Sequence, residues 1–237
     1  MTEPASDRER SSAPAGLSES VRAYLAASYP ANHAYTVKGG RLRPGRKLRR
    51  RWRKIAALYP APLASLADLS SSKGYFVLEA AGREECERAL GIDVHTDDLD
   101  AAESVRAHLA LSRARFLPLR LAELAERIDE LGGRFQTVLL INTYPYLYFG
   151  SRRSEQSYPD HDELFELLRS VCAGRLIFSN RVSLERCPRH IQERARARGL
   201  EAGYTEEAIR RAARSRFELT EHGRLLRGIP LWTLTPR

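Results

Sequence analysis

From Leu63 to the C-terminus, apolar runs of strand length alternate with amphipathic stretches of helix length. That alternation predicts a mostly parallel sheet joined by right-handed crossovers, since each helix packs back on the sheet before the next strand begins. Strands are predicted at Ser65–Leu69, Ala89–Asp93, Arg115–Leu119, Phe135–Asn142 and Arg175–Asn180, and helices at Tyr75–Ala81, Asp97–Ser112, Leu121–Leu131 and His161–Cys172. The run Phe135–Asn142 is almost wholly apolar, as a central strand covered on both faces must be. Two β-rich pieces flanking residues 223–228 predict a closing hairpin. The stretch Arg189–Arg216 mixes Arg and Glu at irregular spacing and reads as a solvated helical cap.

Ahead of this body the pattern changes. Residues 1–15 combine Ser, Ala, Pro and charge without periodicity, which predicts a disordered tail. Residues 16–60 read as a helical and basic extension, and 61–237 as the main domain. A short helix is expected over Leu17–Ala27, stopped by Tyr29-Pro30. The Gly- and Pro-containing stretch Asn32–Gly45 reads as loop. In Lys47–Leu58 the residues Leu48, Trp52, Ile55 and Leu58 fall on one helical face, which should dock on the body.

Composition adds limits. A chain of 237 residues with 43% hydrophobic content can bury one large core. No run approaches the ~20 apolar residues of a membrane span, and charges stand near the start where a signal peptide needs an apolar core, so a cytoplasmic protein is expected. Cys86, Cys172 and Cys187 form no C-x-x-C pair, and neither a metal site nor a disulfide framework is expected. The charge is local. Residues 38–54 hold ten Lys or Arg and no acid, and removing these ten from the formal +9 leaves −1 for the rest. Such a cluster either meets an anion, nucleic acid above all, or is a solvated face.

The candidate chemistry begins at the turn after the first predicted strand of the body. There Ser70, Ser72 and Gly74 are small at alternate positions, as close approach of a nucleoside to the backbone requires, and Asp68 stands at the strand end. Nineteen residues beyond Gly74 comes Asp93, an acid placed to take both hydroxyls of a ribose. Asp68-x-Ser70-x-Ser72-x-Gly74-Tyr75-Phe76 resembles motif I, D-x-G-x-G-x-G, of the class I S-adenosylmethionine-dependent methyltransferases, and Asp93 matches their ribose-binding acid.

The resemblance covers Leu63–Arg237. It implies a Rossmann-like sheet of seven strands, mostly parallel, with an antiparallel C-terminal hairpin strand, and S-adenosylmethionine as cofactor. It places Asp68, Ser70, Ser72, Lys73, Gly74, Tyr75 and Asp93 at the cofactor, with Leu119 and Arg120 beside the adenine and Asn142 near the methionine end. Within the superfamily, Trp52, Gly74-Tyr75, Gly91-Ile92-Asp93 and Phe116-Leu117-Pro118-Leu119 are similar to enzymes that methylate or carboxymethylate wobble uridine in tRNA. Two motif glycines are serines in this chain. Serine at both positions suggests a loop of φ < 0 geometry with hydroxyl contacts, since φ > 0 would strain it. Lys73 either adds a cation beside a cofactor whose sulfonium is already positive or meets the cofactor carboxylate.

The segment Asn142–Gly150 follows the apolar strand and reads as a loop over the acceptor, with Tyr144 and Tyr146 as substrate-binding candidates and Leu147 and Phe149 buried. Arg181, after the last parallel strand, either binds an anionic part of the substrate or pairs with a surface acid such as Glu185. His161 and His222 are candidate bases, though both also suit a helix start or a hairpin. Cys187-Pro188 resembles the nucleophilic cysteine of cytosine-C5 methyltransferases but follows the fifth strand and not the fourth, so covalent catalysis is not expected. The expected activity is methyl transfer to RNA, tRNA in particular, with residues 38–54 gripping phosphates. A small-molecule methyltransferase and a non-catalytic binding domain are the alternatives.

Overall fold

A computed structural model describes residues 16–27, 33–152, 154, 156–225 and 228–237. The expected tail over 1–15 and the helix stop at Tyr29-Pro30 lie outside the described residues. Nine strands and nine α-helices are assigned among the described residues. The extension supplies α1 (Glu19–Ala26), the strands β1 (Tyr35–Lys38) and β2 (Arg41–Pro44), and α2 (Arg46–Ala56). The body follows as β3 (Ser65–Asp68), α3 (Tyr75–Ala81), β4 (Arg88–Ile92), α4 (Thr96–His108), β5 (Ala114–Leu117), α5 (Leu121–Glu126) and β6 (Phe135–Ile141). It continues through α6 (Tyr144–Phe149), α7 (His161–Val171), β7 (Cys172–Ser179), α8 (Arg189–Ala197), α9 (Glu206–Arg216), β8 (Phe217–Arg224) and β9 (Pro230–Pro236).

Seven of the strands make one sheet in the order β5-β4-β3-β6-β7-β9-β8. The first five run parallel, while β9 is antiparallel to both β7 and β8. The strand order reverses between β3 and β6, and the carboxyl ends of those two strands therefore open a crevice that no crossover helix covers. Alternation along the central strands divides the core. In β6, Val138 and Leu140 face one layer with Phe165, Phe178 and Trp232, while Leu139 and Ile141 face the other with Val77 and Ile177. Leu17, Leu25, Tyr35, Leu48 and Ile55 of the extension join that second layer, so the extension shares the core of the body.

Several expectations are corrected. The stretch expected as loop between Asn32 and Gly45 contains the β1–β2 hairpin, turned by Gly39 and Gly40 at φ +56° and +67°, the paired positive φ of a tight hairpin. The loop expected after β6 is the helix α6, begun through Pro145, whose fixed φ suits a first helical turn. Phe149 is buried as expected, whereas Leu147 is only half-buried. The expected cap splits into two helices, and α9 packs on α7 through buried Ile209, Ala212 and Ala213 instead of lying in solvent. Of the ten cations in 38–54, nine face solvent, but Arg51 is only 2% exposed. It lies on the inward face of α2 with Leu48 and Ile55.

Candidate functional site

The crevice is a cleft of about 820 Å³ at the carboxyl ends of the parallel strands. Crossing it from β5 to β7, the strand ends contribute Leu119 and Arg120, then Asp93, then the loop after β3, then Asn142, then Arg181. Tyr24 and His33 of the extension close one wall, and Tyr146 and His190 another.

The loop 69–74 is tied down from both sides. The Ser72 amide donates to Asp93 Oδ2 at 2.8 Å, and the His95 amide donates to Asp93 Oδ1 at 3.0 Å. Burial pushes the Asp93 carboxyl up from its ordinary range, and the two amides oppose that shift by holding the charged form. Ser72 Oγ donates to Asp98 Oδ2 at 3.1 Å, and Tyr24 Oη donates to Asp98 Oδ1 at 2.7 Å. Ser72 adopts φ +46°, so the expectation of φ < 0 at this serine is overturned: the position keeps the left-handed backbone that favours glycine. Ser70 Oγ bonds Thr143 Oγ1 and thereby links the β3 loop to the β6 end.

Eight of the sequence candidates line the cleft: Ser70, Ser72, Asp93, Leu119, Arg120, Asn142, Tyr146 and Arg181. Five do not. Asp68 is buried beneath the loop, where its Oδ1 accepts from the Ser70 amide at 3.3 Å; burial raises its carboxyl to about 7. Lys73 is 1% exposed and turns away from the cleft, donating to the carbonyls of Tyr24 and Ala27 at 2.6 and 3.4 Å, so the expectation that it meets a cofactor carboxylate is corrected. Gly74 serves packing, since a Cβ there would stand 2.6 Å from Ala102 Cβ and 2.7 Å from the Phe116 ring. Tyr75 packs edge-on against Trp52 and Phe76 in the core. Tyr144 is fully buried and hydrogen bonds His161 Nδ1 at 2.8 Å, which corrects its assignment to the substrate.

The candidate bases are likewise accounted for. His161 sits between Tyr144 and the Gly203 carbonyl, stacked on Tyr148, with burial lowering its pKa. His222 pairs with Thr233 on the terminal hairpin. Cys187 is buried, its thiol pushed up to about 12. The described residues contain no group of three or more His, Cys, Asp or Glu able to hold a metal ion, and none of their helices is long and apolar enough to cross a membrane.

Sequence reasoning missed the residues that arrive from a distance. Asn180 Oδ1 accepts from the amides of Thr143 and Tyr144 at 2.7 and 2.9 Å, and its Nδ2 donates to the Leu140 carbonyl at 2.7 Å. That one side chain shapes the chain's exit from β6. Tyr35 Oη donates to the Lys73 carbonyl at 2.7 Å, so the hairpin also braces the loop. Arg51 meets His33 Nε2 at 3.1 Å behind the cleft wall, and burial lowers its pKa to about 10.

Three features fit a nucleoside cofactor carrying a primary amine. Val94, the exposed large hydrophobic among the described residues, stands on the cleft wall beside Asp93, where a flat base would cover it. Asn142 Oδ1 is buried without a hydrogen-bond partner, ready to accept from a donor. The side chains at 70 and 72 leave the loop open to close approach. The departure from motif glycine at Ser72 does not oppose the fit, because the backbone keeps its left-handed turn.

No family model matches the chain, and no curated protein matches it in sequence. Solved structures do match. The PH0226 protein from Pyrococcus horikoshii OT3 is similar with a TM-score of 0.56 at 17% identity, over 81% of this chain and 92% of that one. An O-methyltransferase family protein from Burkholderia thailandensis is similar with a TM-score of 0.53 at 16% identity, over 80% of this chain and 56% of that one. The fold is that of the class I methyltransferases. The bifunctional kinase-methyltransferase WbdD shares it, with a TM-score of 0.53 at 14% identity over 79% of this chain. The chain spans about two fifths of the length of WbdD.

Proposed function

We propose that this chain is an S-adenosylmethionine-dependent methyltransferase. The observation that carries the reading is the Asp93 carboxylate on the cleft wall, held by two backbone amides at the end of β4 beside a loop of small residues. Asp93 would take the ribose hydroxyls, Val94 and Leu119 the faces of the adenine, and Asn142 Oδ1 the amino group. S-adenosylmethionine supplies a methyl group activated on a sulfonium. Transfer of such a group is one in-line displacement, so the protein contributes chiefly orientation and exclusion of water. No dedicated nucleophile is required, in keeping with the hydrogen-bonded ring of His161 and the buried thiol of Cys187. Calorimetry with S-adenosylmethionine and S-adenosylhomocysteine tests the proposal. Both should bind the parent, and failure of both to bind would overturn it.

An RNA acceptor is a second reading, favoured by the nine solvent-facing cations of the β1–β2 hairpin and α2. His33, just ahead of the hairpin, lines the cleft. Arg49, Arg50 and Arg53 changed together to Gln should weaken tRNA binding and lower its salt dependence by about three phosphate contacts, with cofactor affinity unchanged. Equal tRNA binding by variant and parent across a salt titration removes the RNA reading.

A further inference from the structure

Resting on the methyltransferase reading, we propose that the β6–β7 flank of the cleft is an acceptor subsite selecting a small, flat molecule that carries a carboxylate or phosphate, with Arg181 as the anion-binding residue. The cleft is divided by charge. Among the described residues its lining carboxylates are Asp93 and Asp98, both toward β4 and α4 and both engaged by hydrogen bonds from the loop or the extension. The opposite flank holds Arg181 and His190 and, among the described residues, no acid.

Arg181 differs from Arg120 and Arg186. Arg120, at the far end of the cleft, is paired with Glu123 at 3.3 Å and bonded to Ser154. Arg186 donates to the Gly228 carbonyl, and Glu185, the acid nearest in sequence, is taken by Ser183. The Arg181 guanidinium has no hydrogen bond or ion pair with a described residue, although the residue is half-buried and its own carbonyl is fixed by Tyr204 Oη at 2.6 Å. A guanidinium with no protein partner keeps its paired N–H donors available to a carboxylate or phosphate through two parallel hydrogen bonds. Its backbone is pinned, so an anion would have only the side chain to order.

The shape of the flank sets the rest of the ligand. Tyr146 and His190 pack on one another with ring centres 5.9 Å apart and both line the cleft, so the ring surface they turn to it is what a flat body would lie against. Arg181 lies within the cleft, apart from the solvent-facing cations of α2. The anion it selects is therefore part of a molecule that enters the cleft.

The test uses the full chain, with cofactor-product binding measured first by calorimetry. Benzoate, phenyl phosphate and the neutral benzamide are then titrated by ligand-observed NMR, with and without saturating S-adenosylhomocysteine, against the parent, Arg181→Gln and Arg181→Lys. At least one anion should bind the parent while benzamide does not, and the preferred anion separates the carboxylate from the phosphate arm. Arg181→Gln should weaken that anion by about tenfold or more, Arg181→Lys should retain part of the affinity, and S-adenosylhomocysteine binding should stay within about twofold in all three. Benzamide binding as well as the anions, full anion affinity in Arg181→Gln, or no anion binding to the parent in either state would each overturn the subsite. Failure of S-adenosylhomocysteine to bind the parent would instead strike the cofactor reading, and the titrations without it still judge Arg181.

Discussion

The Ser72 amide donates to the Asp93 carboxylate at 2.8 Å, so the turn after β3 and the acid after β4 form one hydrogen-bonded unit across neighbouring strands. Asp93 thus has two tasks. It holds the loop through Ser72, and it presents a carboxylate to the cleft.

Asp93→Ala should weaken S-adenosylmethionine binding by about 1–3 kcal/mol, because a ribose hydroxyl pair loses a charge-assisted acceptor and the loop loses its anchor. Calorimetry on the folded variant checks this, and unchanged affinity would remove the ribose assignment.

Ser72 sits at φ +46°, where glycine carries no steric penalty. Both Ser72→Ala and Ser72→Gly lose the bond to Asp98, but only glycine relieves the backbone. The glycine variant should therefore be at least as stable as the alanine variant, by roughly 0.5 kcal/mol, reversing the order expected of a loop residue at φ < 0. Thermal melts of the two variants decide it.

Gly74→Ala should destabilise the protein by about 3 kcal/mol or more, since the new methyl meets Ala102 and the Phe116 ring at under 3 Å while φ is +75°. Denaturant titration measures the loss. A change under about 1 kcal/mol would show that α4 and β5 yield easily at this contact.

Asp68, raised by burial to about 7, binds its proton more tightly folded than unfolded. Between the unfolded value near 4 and the folded value near 7, the native state holds a proton that the unfolded chain has released, so stability should fall as pH rises through that window. The slope from this group is at most about 1.4 kcal/mol per pH unit. In Asp68→Asn, which keeps an acceptor for the Ser70 amide, the fall should be correspondingly shallower. Parallel stability curves for parent and variant from pH 4 to 8 would show that Asp68 ionises normally.

From Ser65 to Asn180 the alternating pattern was enough to read the parallel strands and most of the helices between them, because each follows from a local period, while the seven-stranded sheet with its antiparallel hairpin strand was implied by the resemblance to the methyltransferases. Ser70, Ser72 and Asp93 were legible because the loops just past the carboxyl ends of parallel strands border the crevice, although Asp68, the last residue of β3, is buried beneath its loop. Fine local structure was less legible. Gly39-Gly40 between two short β-capable pieces held a hairpin signal masked by flanking charge, and Pro145 was a helix start hidden among aromatics.

What only the tertiary structure decided is which of the neighbouring side chains enter the cleft. Ser72 and Lys73 are adjacent, yet one lines the cleft and the other reaches back to α1, because the left-handed backbone at Ser72 turns the chain between them. Arg51 looks like its neighbours Arg50 and Arg53, but one helical face is committed to the core, and Arg51 shares it with Leu48 and Ile55. Tyr144 and Tyr146 differ only by two positions in α6, which sends the first into the core against His161 and leaves the second on the cleft wall. Local sequence sets the period and the strand ends. The choice of face depends on partners distant in the chain, and these meet only once the extension and the body have packed together.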